Sequence, residues 1–306
     1  MKHVPVLLDE VISYLNIKPG GIYVDATLGG GGHAEAVLKH LESGKLYAFD
    51  QDLFAIEKAQ ARLKPYEDHL TIINENFKSL QSALKGYGVE HIDGIYFDLG
   101  VSSFHFDDAS RGFSYREDAW LDMRMNQQQA LSAHTVINTY EETALAKVLF
   151  DYGDEPFAKR IAKNIVKQRQ EAPINTTFEL VDVIKQSMPQ KVLSKKGHPA
   201  KRSFQAIRIE VNQELDVLKT SLSSALDLLK PGGRCLVISF QSLEDKIVKT
   251  MFKDKTTIDY PKDVPVMPDE VAPFKFVGKK AIKPSQSELA KNHRAHSAIL
   301  RVIEKR

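Results

Sequence analysis

A single cysteine in 306 residues excludes an internal disulfide framework and any zinc site built on thiolates. No run approaches 18 consecutive apolar residues, so no segment reads as a transmembrane helix. The apolar stretch at the N-terminus is interrupted by Asp9 and Glu10, which a signal peptide would not carry, and the cytoplasm is the expected location. Neither charge is in excess: 42 Lys and Arg stand against 40 Asp and Glu, so a nucleic-acid partner requires cations clustered locally. The ten histidines show no ligand spacing with acids, and no metal is expected. What remains, 27% charged and 42% apolar residues, is the composition of a soluble globular protein. The length allows one large domain or two smaller ones, each with a full core.

Four short apolar runs in the first hundred residues read as buried strands: Gly21–Asp25, Lys45–Asp50, Leu70–Ile73 and Gly94–Asp98. Helical stretches lie between them, such as Ala34–His40 and Leu53–Leu63, and this alternation means βαβ units and a parallel sheet. A fifth run, Arg234–Phe240, follows the turn Lys230-Pro-Gly-Gly233 and the helical stretch Glu214–Leu229; a last one, Ser297–Ile303, suits an edge or antiparallel strand. The gap from Asp98 to Arg234 is several times the roughly 30 residues of a βαβ unit. It contains Gln127–Val136, Glu141–Phe150, Pro156–Arg169 and Phe178–Met188, all readable as helices. The expected architecture is therefore an α/β, doubly wound, Rossmann-like sheet domain (residues 1–104 and 213–306) with an all-helical domain inserted at 105–212. Residues 254–284 hold five of the 13 prolines and suit an irregular loop, with a short ribbon at Phe274–Val277.

The first strand runs into Thr27-Leu-Gly-Gly-Gly-Gly-His33, where Gly29, Gly31 and Ala34 match G-x-G-x-x-A. Glycines there let the backbone turn tightly and approach a ligand near a helix N-terminus. Alone, the loop reads equally as a flexible turn. Asp50 ends the second strand 21 residues after Gly29, where a doubly wound sheet places a carboxylate for ribose hydroxyls. Asp98 ends the fourth strand, and Asn76-Phe77 follows the third. Each of these taken singly suits a cap or a core position; together they lie over one crevice. Asp25 at the end of the first strand is poor company for a pyrophosphate but suits the cationic methionyl end of S-adenosylmethionine. The Leu229-Lys-Pro-Gly-Gly233 turn also resembles class I methyltransferases, which favours the methyl donor over a nicotinamide.

Seven segments then carry a more specific likeness. They are His3-Val-Pro-Val-Leu-Leu-Asp-Glu10, Thr27–His33, Asp98-Leu-Gly-Val-Ser-Ser103, Arg111-Gly-Phe-Ser-Tyr115, Leu121-Asp-Met-Arg-Met125, His198-Pro-Ala-Lys-Arg-Ser-Phe-Gln-Ala-Ile-Arg208 and Ser239-Phe-Gln-Ser-Leu-Glu-Asp245. In order, they resemble the bacterial 16S ribosomal RNA cytosine-1402 N4-methyltransferase family. The resemblance implies a class I fold with a helical substrate domain, S-adenosylmethionine as donor, and 16S rRNA of the small ribosomal subunit as acceptor. It implies Gly31, Gly32 and His33 at the methionyl end, Asp50 on the ribose, and Phe77 and Asp98 around the adenine and the site floor. Ser103-Phe-His-Phe-Asp107 departs from the family's Ser-Pro-Gln-Leu-Asp, so His105 stands where a donor-contacting Gln is expected. An imidazole cannot both donate and accept there as an amide does. Gln241 stands where the family more often has His, and His293 and His296 replace a Pro and an Arg.

Methyl transfer is an in-line displacement, and the protein mainly positions the nucleophile, at about 3 Å. The N4 lone pair of cytosine is delocalised into the ring, so acceptors on its two N–H bonds favour the nucleophilic geometry. Asp98 and nearby carbonyls are the expected acceptors, with Ser102 or Ser103 assisting, although both serines also suit an ordinary turn. The base must be unstacked to reach the donor, and recognition then rests on RNA shape, phosphates and stacking. Lys191–Arg208 holds six Lys and Arg and no acid, which makes Lys195, Lys196, Lys201, Arg202 and Arg208 the RNA-binding candidates. Pro156–Gln170 holds five cations and equally suits a solvated helix face. Phe104, Phe106, Phe113 and Tyr115 suit stacking on bases or core packing, and Asp122 with Arg124 suits an internal ion pair. The chain is expected to act as a monomer or a homodimer. The competing functions are an amino-methyltransferase on another substrate, a nicotinamide-dependent reductase with a helical cap, and a non-catalytic RNA-binding assembly factor.

Overall fold

The computed structural model describes residues 5–100, 108–258 and 271–306. The chain divides into two compact units, one of residues 1–100 and 215–306, the other of residues 101–214.

The first unit is built on seven strands, β1 (Ile22–Asp25), β2 (Lys45–Phe49), β3 (Leu70–Ile73), β4 (Ile92–Asp98), β5 (Leu229–Ser239), β6 (Phe274–Phe276) and β7 (Ile299–Lys305). Their order in the sheet is β3-β2-β1-β4-β5-β7-β6. The first five pair in parallel. β7 runs antiparallel between β5 and β6, so it lies inside the sheet and β6 takes the edge. Chain direction across the sheet reverses between β1 and β4, and such a switch point opens a crevice at the carboxyl ends of the strands.

Side chains alternate along a strand, and that alternation sorts the strand residues into two cores. Tyr23, Leu46, Ala48, Tyr96, Leu236 and Leu300 face α1 (Leu8–Leu15), α2 (Gly32–Leu38) and α3 (Leu53–Leu63). Val24, Phe49, Ile95, Phe97, Cys235 and Ile303 face α4 (Leu80–Gly86) and two later helices, at Glu214–Leu228 and Ser242–Thr256. Both faces are covered, which is why the strands read as near-continuous apolar runs. The doubly wound sheet is the one expected. The Lys230-Pro-Gly-Gly233 turn proves to lie inside β5 as a bulge: Leu229 pairs with Ile92, and the next pair is Arg234 with Gly94. Among the described residues, no helix is long and apolar enough to cross a membrane.

The second unit holds α5 (Ala133–Thr139), α6 (Glu142–Gly153), α7 (Ala158–Glu171), α8 (Thr177–Gln186), α9 (Gln190–Leu193) and α10 (Lys201–Asn212) around its own apolar core. The chain then enters α11 (Glu214–Leu228) and, after β5, α12 (Ser242–Thr256); α13 (Gln286–Lys291) precedes β7. One expected helix is much shorter than its pattern. Helix α5 starts at Ala133 instead of Gln127, because polar side chains occupy the backbone before it. Asn126 accepts from the N–H of Gln128 at 2.9 Å, Gln129 Nε2 donates to the carbonyls of Leu131 and Val211, and Ser132 caps Thr135. Such local bonds compete with a helix. The Thr176/Glu179 capping box sets the start of α8.

Candidate active site

The glycine loop sits at the carboxyl end of β1. Gly29 and Gly31 have φ of +49° and +72°, the left-handed region that glycine enters without strain. At Gly29 a Cβ would meet only the Thr27 carbonyl, at an ordinary 3.8 Å, so conformation alone demands glycine; at Gly32 it would lie 2.4 Å from Pro5 Cγ. Pro5 thus braces the loop, a role its residue type does not advertise. Asp50 holds the loop from the other side. Its Oδ2 accepts from the N–H of Gly29 at 2.8 Å and its Oδ1 from that of Asp52 at 2.9 Å. These bonds hold the Asp50 carboxylate at the carboxyl end of β2, beside the glycine loop. Phe77 packs edge-on against Phe97, centroids 5.7 Å apart, and leans on the core while remaining half-buried.

Four groups form a chain beneath the loop. Asp25, 1% exposed, accepts from Tyr96 Oη at 2.7 Å and from the N–H of Thr27 at 2.9 Å. Each of its oxygens thus holds one interior donor, which ties the end of β1 to β4 and to the loop. Burial pushes its carboxyl up to about 6 against the hydrogen bonds from Tyr96 and Thr27. The N–H of Asp98 donates to Thr27 Oγ1 at 2.7 Å, which fixes the end of β4 to the loop.

His33 is where the chemistry becomes specific. Its Nε2 lies 3.0 Å from the carbonyl oxygen of Val6. A carbonyl can only accept, so Nε2 carries the hydrogen and Nδ1 is left with a lone pair in the neutral ring. That lone pair faces Asp98 Oδ2 at 3.5 Å. Two acceptors face each other, and the contact becomes attractive only when one proton sits between them. Burial pushes Asp98 up to about 7 and lowers His33, so that proton belongs on Asp98. The other oxygen, Asp98 Oδ1, is buried and has no hydrogen-bond partner among the described residues, while the side chain as a whole keeps 25% of its surface. An orphaned buried acceptor is costly unless a ligand completes it.

The residues present fit an adenosyl sulfonium. A positive-φ glycine loop can approach a ligand closely, a carboxylate stands at the end of β2 where such a fold places a ribose diol, and acids rather than cations end β1, β2 and β4, which disfavours a pyrophosphate. Ser102, Ser103 and His105, together with Phe104 and Phe106, lie outside the described residues.

The basic candidates divide in the helical unit. Lys195, Lys196, Lys201 and Arg202 are exposed, and Arg202 Nη1 donates to the carbonyl of Asp154 at 2.8 Å. Arg208 is buried, and its guanidinium forms a bidentate pair with Glu214, at 2.8 and 2.9 Å. Its place is in the unit's interior. Asp122 and Arg124 are likewise an internal pair, Nε to Oδ1 at 2.6 Å. Arg111 donates to the carbonyls of Arg124 and Met125, and Asn212 bonds both Met123 and Met125, so the Leu121–Met125 motif is a structural clasp.

Comparison with known proteins places these features. A protein from Limosilactobacillus fermentum named ribosomal RNA small subunit methyltransferase H is 55% identical, the match covering 99% of this chain and 98% of that one. The protein of the same name from Lactobacillus delbrueckii subsp. bulgaricus is 51% identical, with 99% of each chain covered. Among solved structures, an rRNA methylase from Streptococcus thermophilus aligns with a TM-score of 0.43 at 13% identity, over 97% of this chain and 93% of that one. The model of the MraW methylase family matches residues 1–306, so the chain belongs to the MraW methylase family.

Proposed function

We propose that the protein transfers a methyl group from S-adenosylmethionine to the exocyclic N4 amine of a cytosine in 16S rRNA. The observation that carries this reading is the orphaned Oδ1 of Asp98 at the carboxyl end of β4, on the same sheet edge as Asp50 and the glycine loop.

When bound, the donor supplies a methyl carbon on a cationic sulfur. The chain's own residues do the rest. Gly29 and Gly31 bring the backbone close to the ligand, Gly32 and His33 begin α2 beneath it, and Asp50 takes the ribose hydroxyls. Oδ1 of Asp98 accepts a hydrogen bond from the amine, which turns the nitrogen's lone pair away from the ring. Asp98, in the ionised form populated as pH rises past about 7, would take the surplus proton from nitrogen as the methyl group is transferred. The protonated carboxyl then donates to Nδ1 of His33, whose hydrogen on Nε2 is held by Val6. Ser102 and Ser103 are assigned the assisting acceptor role, and His105 a donor contact, on sequence position. Lys195, Lys196, Lys201 and Arg202 are assigned to RNA phosphates, in the small subunit and in the cytoplasm.

A donor-dependent thermal shift separates this function from a reductase. S-adenosylhomocysteine stabilises the folded protein, by about 2.7 kcal/mol at a hundredfold excess over its Kd, and NADH does not. Stabilisation by NADH alone would refute the reading.

A further inference from the structure

The helical unit carries a stack of rings just before α10. The imidazole of His198 lies on the ring of Tyr115, with centroids 4.3 Å apart and planes 16° from parallel. Tyr115 is locked in turn, edge-on against buried Phe204 at 5.7 Å and 89°. The guanidinium carbon of Arg116 lies over the Tyr115 ring, 6.0 Å from its centre.

The tautomer of His198 follows from its neighbour. The N–H of Ala200 donates to Nδ1 at 3.3 Å, so the hydrogen of the neutral ring is on Nε2, and no described residue accepts it. Burial, Lys185 and Arg116 all disfavour the imidazolium. The half-exposed ring is therefore a neutral, flat surface with one donor at its rim.

Cations flank it along the chain. Lys195 and Lys196 are exposed immediately before Gly197, whose φ of +110° turns the chain into His198. The N–H of Lys201 donates to the His198 carbonyl at 3.1 Å, which places that exposed side chain one turn away. None of Arg116, Lys195, Lys196 and Lys201 has an ion-pair partner among the described residues. A rigid ring stack within a fringe of unpaired cations is the arrangement that binds single-stranded nucleic acid: rings take base faces and cations take phosphates.

We propose that the His198–Tyr115 stack is a platform for one unpaired base of the RNA substrate, with Lys195, Lys196 and Lys201 holding the adjoining phosphates. The inference rests on the RNA-methylation reading above and names the surface that grips the substrate.

The probe is a single-stranded oligoribonucleotide containing 2-aminopurine, whose fluorescence falls on stacking, titrated into the full chain at several salt concentrations. The wild-type protein binds and quenches it. His198→Ala weakens binding about tenfold and loses the quench, while the dependence of log K on log salt keeps its slope. His198→Phe restores both binding and quench, which separates lost stacking from a damaged fold. The pair Lys195→Gln with Lys196→Gln keeps the quench and flattens the slope by about 1.4. Wild-type binding and quenching by His198→Ala would overturn the platform, as would failure of His198→Phe to recover them. Methyl transfer to small-subunit RNA by the wild-type protein is measured in parallel. Its absence would overturn the RNA reading itself; its presence alongside an unaffected His198→Ala would overturn the platform alone.

Discussion

At the scale of single residues, the account turns on where one proton sits. Asp98 carries a carboxyl pushed from 3.8 to about 7 by burial. The folded state therefore keeps a proton that the unfolded chain releases between those two values. Its contribution to stability is complete below about 3.8, declines as pH rises, and is lost above about 7. Asp98→Asn removes that ionisation. Melting curves are expected to show the variant more stable than wild type at pH 8 and matched to it near pH 4, with methyl transfer abolished at both. A variant destabilised at pH 8 would contradict the burial argument. The rate of the wild-type enzyme rises with pH through about 7, as Asp98 becomes able to accept a proton. His33→Phe removes the acceptor for that proton, so the acidic limb of its pH–rate profile moves to lower pH and kcat falls.

Arg208 belongs to the same scale. In sequence it is indistinguishable from the exposed lysines before it, because charge is legible there and burial is not. Its pairing with Glu214, at 11% and 12% side-chain exposure, makes it structural. Arg208→Ala strands a buried carboxylate and costs about 3–5 kcal/mol in urea unfolding. Replacing both partners, Arg208→Met with Glu214→Leu, recovers most of that loss. If the single variant unfolds like wild type and only RNA affinity falls, Arg208 is a phosphate ligand after all.

At the scale of elements, the glycine loop shows what periodicity and spacing can and cannot carry. Gly29 and Gly31 were readable because the turn needs φ above zero, and Asp50 because its spacing puts a carboxylate at the end of the next strand, where it bonds the loop. The partners of His33 and Asp98 were not: one is the backbone carbonyl of Val6, and another is the hydroxyl of Thr27, 71 residues away in sequence. Gly31→Ala tests the loop. The substituted residue is strained by about 1–2 kcal/mol in the left-handed region, and its Cβ would crowd Leu63 Cδ1 at 3.1 Å. Calorimetric titration with S-adenosylhomocysteine is expected to give at least tenfold weaker binding with the sheet intact by circular dichroism. The strands were legible to within two residues at most ends, since a doubly covered parallel sheet writes itself as apolar runs. The bulge in β5 and the late start of α5 were not, because each depends on polar contacts that a hydrophobic pattern does not record.

At the scale of the whole molecule, two units have separate cores, and their roles divide accordingly. The sheet unit presents acids at its strand ends and takes a cationic donor. The helical unit exposes Lys195, Lys196, Lys201 and Arg202, to which the proposal assigns the RNA phosphates. A chain of net charge +2 relies for both on local clusters, acids at the strand ends and cations before and at the start of α10. The long interval between Asp98 and Arg234 made the insertion visible in the sequence, whereas the contacts of the Leu121–Met125 motif with Asn212 required three-dimensional placement.

The most direct measurement is nucleotide mapping by mass spectrometry. Small subunits lacking the modification are incubated with donor and either the wild-type protein or Asp98→Asn, after calorimetry has verified that both bind S-adenosylhomocysteine. The account predicts a single N4-methylcytidine in the 16S rRNA with the wild-type protein and none with the variant. A methyl group on another atom or another molecule, or equal methylation by the two proteins, would contradict it.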